Sequence, residues 1–167
     1  MIDELKYLDE ILFEVFQLRI SNIIKDVEST DYLGHTFDVG ALKIVFRKSK
    51  ITPKKNGQFV TLWKRNSNNN TEPFNEFEKF DFCIILAEES NTRGYFVFPK
   101  NELVKQGILS TITKEGKRGF RVYPSWTTTE NKQATKTQLW QTNYFINGSI
   151  TSCEIKEQFI EILCTKS

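Results

Sequence analysis

Apolar residues recur at helical spacing near the amino end, with Leu5, Leu8, Leu12 and Val15 followed by Ile20, Ile23, Ile24 and Val27. The spacing predicts one helix over residues 2 to 27, or two with a break near Gln17, turning an acidic face outward. Beyond residue 35 the period falls to two. Residues 36 to 39 and 42 to 47 read as strands joined through Gly40 into a hairpin. A loop over 51 to 57, holding Pro53 and the Asn56-Gly57 pair, leads to a third strand over 58 to 64, where Phe59, Thr61 and Trp63 fall on one side. Polar residues 66 to 71 form a connection too short to divide the chain.

The runs 80 to 86 and 95 to 98 are nearly continuous in apolar residues, the pattern of central strands covered on both faces. A strand over 120 to 123 is expected beside them. A short helix is predicted over 102 to 106, closed by Gly107, and a longer one over 131 to 145 with Trp140 and Tyr144 turned inward. A last, peripheral helix is predicted over 154 to 163, because Ile155, Phe159, Ile162 and Leu163 share a face. The order of elements makes this an α/β chain, a single domain over 1 to 167 with a mixed central sheet flanked by helices.

Composition narrows the picture. With 167 residues the chain can bury roughly two-thirds of its unfolded surface, enough for one core and too little for two ordinary domains. Hydrophobic residues at 39%, with 14 Phe, exclude a disorder-prone composition. The acidic start MIDELKYLDE is unlike a secretory signal, and the longest apolar run, 82 to 87, is far below a membrane span, which predicts a cytoplasmic protein with no membrane partner. Three cysteines, Cys83, Cys153 and Cys164, lack CxxC spacing and fit reduced thiols better than a disulfide frame or a sulfur-held metal. No GxGxxG, P-loop or HExxH motif is present, so no metal and no small-molecule cofactor is predicted. His35, the single histidine, has no obvious Ser or Cys partner for a triad.

Net charge is only +2, but the signs are segregated along the chain. Residues 1 to 31 hold eight acids and three bases, and residues 43 to 65 hold eight bases and no acid. Residues 72 to 89 hold six acids and one base, and residues 100 to 136 hold eight bases and three acids. If folding joins the two basic blocks, the local field attracts a polyanion that the total charge would not. The competing reading is a set of solvated lysines and arginines on strand faces and loops.

Several segments carry rarer residue combinations in a fixed order: ITPKKNGQFVTLWKR (51 to 65), EPF with FDFCII (72 to 74 and 80 to 85), GYFVFPK (94 to 100), GKRGFRVYPSW (116 to 126) and NKQATKTQLWQTNYF (131 to 145). In these the chain resembles the MepB family. The resemblance implies a restriction-endonuclease-like fold. It also implies a bacterial setting, since such proteins are similar to one encoded beside a multidrug efflux pump and its repressor.

A nuclease of that class places an Asp on one strand and, on the next, an Asp or Glu, any residue, and a Lys. The acids hold a divalent cation through oxygen, and the lysine positions or polarises water or phosphate. Here Asp81 opens one apolar strand and Phe98-Pro99-Lys100 closes the next, so Phe98 stands where the second carboxylate belongs. Asp81 and Lys100 are therefore vestigial candidates in a degenerate site. Glu28 and Asp31 are remoter sources of oxygen. The alternative role of Asp81 is to cap a neighbouring backbone group, and that of Lys100 is a solvated edge residue.

Recognition chemistry is better supplied. Lys54, Lys55, Lys64 and Arg65 bracket the strand 58 to 64, and Lys117, Arg118 and Arg121 lie in and before the strand 120 to 123, beside Tyr123 and Trp126. Basic side chains neutralise phosphates and aromatics stack on unpaired bases. Lys100, Lys132 and Lys136 extend the set, with Asn131, Gln133 and Gln138 as further donors. For Trp63, Trp126 and Trp140 the competing role is packing in the core or its rim. Three functional readings stay open: a DNA- or RNA-binding protein on a nuclease-like scaffold without a complete metal site, a magnesium-dependent nuclease using Asp81 and Lys100, and a protein-interaction partner of an efflux system.

Overall fold

The amino-terminal helix stops early, and the backbone shows why. α1 (Asp3–Phe16) ends where Gln17 enters the left-handed region at φ 57° and returns its backbone N–H to the Phe13 carbonyl at 2.8 Å. Ile20 then gives its N–H to the Asp9 carboxylate at 2.7 Å, and the chain continues as strand β1 (Ile20–Lys25). The predicted break near Gln17 is present, but the second element is a strand. Its helix-like spacing does not mark a buried face, since Ile24 and Val27 are exposed. β-branched side chains there suit an edge strand better than a helix.

The computed structural model describes residues 1–165. After a 3-10 helix (Val27–Tyr32) come β2 (His35–Val39) and β3 (Leu42–Lys48), the expected hairpin, with Gly40 at φ 58° in its turn. A run of short strands follows: β4 (Lys50–Ile51), β5 (Gln58–Thr61), β6 (Trp63–Arg65) and β7 (Thr71–Pro73). The chain then returns to β8 (Phe82–Glu89) and β9 (Thr92–Pro99). One six-stranded mixed sheet results, in the order β1-β2-β3-β8-β9, completed by β11 (Phe145–Asn147), with β3 and β8 parallel and the other neighbours antiparallel.

Both faces of this sheet are covered, as the apolar runs predict. Phe82, Ile84 and Leu86 point to a core closed by α1 and by α4 (Ser152–Ile160). Cys83, Ile85 and Ala87 point to a second core, where β5, β10 (Gly119–Val122) and α2 (Lys100–Lys105) contribute Val60, Phe120, Val122 and Leu103. β10 is not a neighbour of β8 and β9; it pairs antiparallel with β5 in a separate sheet ordered β10-β5-β4. Its alternation buries one face only, which is the signature of a covering sheet rather than a central strand.

The helix predicted over 131 to 145 is α3 (Lys132–Thr142), after which Phe145 leaves helical geometry to pair with Phe96 on β9. The carboxyl-terminal helix is not peripheral. α4 starts on a Thr151–Glu154 capping box and seats Phe159, fully buried, edge-on against Phe16 at 6.3 Å. Among the described residues no helix is long and apolar enough to cross a membrane.

Candidate functional site

The covering sheet is held to α3 by glutamines rather than by an apolar stripe. Gln141, fully buried, accepts from the Tyr123 N–H at 2.8 Å and donates to the Arg121 carbonyl at 2.9 Å, so its amide acts as a strand partner for the free edge of β10. Gln138 donates to the Pro124 and Thr127 carbonyls at 3.0 and 2.8 Å. At the other end of the helix, Asn131 caps the Ala134 N–H at 2.8 Å. These contacts fix α3 at an offset from the strands and leave a cleft between them.

The loop before β5 is pinned to the same place. Arg121 donates to the Asn56 carbonyl at 3.1 Å and to the Thr52 hydroxyl at 2.5 Å, while Asn56 donates to the Thr128 carbonyl at 2.9 Å. Gly57, at φ 77°, is pressed against Tyr123, whose ring lies 2.7 Å from where a methyl group at 57 would stand. The loop that carries Lys54 and Lys55 is therefore clamped at three points.

The cleft between β5, β10, the end of α2 and α3 has a volume of about 550 Å³. Phe59, Phe120, Tyr123 and Trp140 supply aromatic lining, and Lys55, Lys117, Arg121, Asn131 and Gln133 supply donors, with Glu130 the one acid among the lining residues. Glu130 and Asn131 also line a shallower groove with Lys132, Lys136 and the exposed Leu139, so the two depressions share a boundary at the amino end of α3. Among the described residues, Lys54, Lys55, Lys117, Lys132 and Lys136 form no ion pair and no side-chain hydrogen bond.

The other basic candidates are engaged elsewhere. Lys64 pairs with Glu78 at 2.5 Å and with Glu72 at 3.8 Å, and Arg65 pairs with Glu28 at 3.0 Å. Arg118 turns to Thr71 and Glu115, with Nη2 donating to the Thr71 carbonyl at 2.8 Å. Trp126 packs edge-on against Phe145 at 5.5 Å and gives its indole N–H to Glu89 at 2.9 Å, outside the cleft. Trp140 serves both roles, packing at 5.2 Å on Phe98 while lining the cleft. The structure thus gathers Lys55, Lys117 and Arg121 and separates them from Lys64, Arg65, Arg118 and Trp126.

At the start of β8 and the end of β9, Asp81 and Lys100 come together, the Lys100 N–H donating to the Asp81 carbonyl at 3.0 Å. Their side chains are spent on backbone groups: the Asp81 carboxylate accepts from the Lys43 N–H at 2.8 Å, and the Lys100 ammonium donates to the Glu78 carbonyl. Phe98 is fully buried against Phe96 and Trp140. Glu28 is held by Arg65, and no group of three potential metal ligands occurs among the described residues. His35 is buried, with Nδ1 at 2.8 Å from the Leu33 carbonyl. All three cysteines are free, and burial pushes the Cys83 thiol up to about 12.

Sequence reasoning passed over Phe59 as a site residue. Its signal was legible, because period-two alternation sets Phe59 opposite the buried Val60, and Gly119 stands two residues before Arg121 in the partner strand. Asn56, Gln106 and Thr137 carried no such signal, since folding alone brings them to the cleft.

A family model described as MepB-like matches residues 26–147. Among solved structures, a crystal structure of MepB is similar over 90% of this chain and 100% of that chain, at 35% identity and a TM-score of 0.78. The bacterial homing endonuclease I-Ssp6803I is similar over 82% of this chain and 90% of that chain, at 16% identity and a TM-score of 0.41. No curated protein matches.

Proposed function

The chain belongs to the MepB-like family, and from that premise we propose that it is a cytoplasmic bacterial protein that binds DNA or RNA through the cleft between the β10-β5-β4 sheet and α3. The observation that carries this reading is the set of unpartnered lysines around an aromatic cleft: Lys55 and Lys117 line it, Lys54 shares the clamped loop, and Lys132 and Lys136 continue past the amino end of α3. A lysine without an acidic partner keeps its full field for a phosphate, whereas one in an ion pair does not.

In this reading the scaffold is nuclease-like without a complete metal-dependent site, and the setting is an efflux-linked one, as the resemblance to MepB implies. Gel shift of labelled oligonucleotides by purified protein tests it, with retarded bands expected at low salt and lost at high salt. Absence of any shift with both single and double strands would overturn the reading. Magnesium-dependent nicking abolished by Asp81→Ala would replace it with a nuclease, and salt-resistant capture of an efflux-system protein without any DNA shift would replace it with a protein partner.

A further inference from the structure

The cleft is built differently from a surface that only tracks a phosphate backbone. Its volume of about 550 Å³ lies in the range of small-molecule pockets, roughly 300 to 1,000 Å³, so a duplex cannot enter it. Its floor is aromatic and its rim basic. Phe59 is half-buried, crossing the partner strand where Gly119 has no side chain: a methyl group there would lie 2.4 Å from the tip of the ring. Tyr32 meets the Phe59 ring edge-on at 6.5 Å, which holds it in place. The Asn131 amide nitrogen, whose oxygen caps α3, can donate into the same space, and the Gln133 amide there can donate or accept.

We propose that this cleft receives one unpaired nucleotide of a nucleic-acid strand, with its base laid on Phe59 and its phosphate between Lys55 and Lys117. The inference rests on the nucleic-acid reading above and narrows it. A base inside a duplex is stacked on both faces and cannot reach an aromatic floor without being flipped out, which costs unstacking. A single strand offers the same phosphates with bases free to stack. The protein therefore prefers single strands and unpaired ends to uninterrupted duplex.

Fluorescence anisotropy with a labelled oligothymidylate and a blunt-ended duplex of equal charge tests this. The single strand is expected to bind more tightly by roughly tenfold, the scale of one stacked base. Phe59→Leu keeps the apolar volume and removes the π-face; it should lower single-strand affinity by roughly five- to 100-fold while leaving blunt-duplex binding and the salt dependence unchanged. Phe59→Trp should restore it. Lys6→Ala, on the opposite side of the sheet, is the control. Equal affinity for both probes, with Phe59→Leu indistinguishable from the natural protein, would overturn the inference and leave general nucleic-acid binding standing. Binding to neither probe would remove both.

Discussion

A guanidinium sealed inside the protein shows how one residue pair fixes the start of the fold. Arg47 on β3 is 1% exposed, and its Nη2 donates to Asp26 at 2.6 Å while Nη1 donates to the Phe46 carbonyl at 2.9 Å. Burial presses its pKa down and the Asp26 carboxylate opposes that pressure. Asp26 also accepts from the Glu28 N–H at 3.1 Å, so it caps the 3-10 helix as well. Asp26→Asn would leave the buried cation without its counter-charge, and we expect a loss of about 3 kcal/mol, read as a lower urea midpoint with the slope unchanged. A destabilisation under about 0.5 kcal/mol would place the pair among surface ion pairs instead. Nothing in the sequence marked this pair, because its partners lie 21 residues apart and charge patterning reads only near neighbours. Asp81 was more legible: a carboxylate at a strand start suggests a local backbone cap, and it accepts from the Lys43 N–H across the β3–β8 junction.

Among the elements, the place in the sheet is legible for strands with two-sided apolar character and not for β10, which buries one face only. β8 and β9 follow directly from their runs, whereas the half-buried alternation of β10 suits any sheet with one wet face. The parallel pairing of β3 with β8 was illegible for a different reason. Residues 49 to 81 between them form short strands of their own rather than a crossover helix. The β4–β5 connection is the element on which the cleft depends, since Arg121, Tyr123 and the Thr128 carbonyl all grip it. Gly57 sits there at φ 77°, a conformation that costs a side chain about 1 to 2 kcal/mol before any collision with Tyr123. Gly57→Ala should therefore destabilise the protein by at least about 1 kcal/mol and speed amide exchange along β5 and β10 before it affects β8 and β9. Uniform exchange across both sheets would show that the covering sheet has no separate opening step.

For the whole molecule, the question is whether a net charge of +2 can drive binding to a polyanion. The segregated charge blocks made this legible as an expectation but could not say which bases would stay free. Folding divides them: Lys64, Arg65 and Arg118 meet Glu72, Glu78, Glu28 and Glu115, while Lys55 and Lys117 stay free on the cleft. A phosphate contact releases counterions only where the protein charge was not already compensated. Alanine at Lys55 and Lys117 together should flatten the slope of log affinity against log salt by about 0.7 for a single strand with one phosphate between them, or about 1.8 for a duplex that meets them with two. Alanine at Lys64 and Arg65 together removes the same formal charge from ion-paired positions and should change the slope by less than about 0.5. Both double variants have the same net charge, so a response governed by total charge would shift them equally. Equal slopes would mean that the molecule meets its polyanion as a diffuse charge, and that the cleft does not focus it.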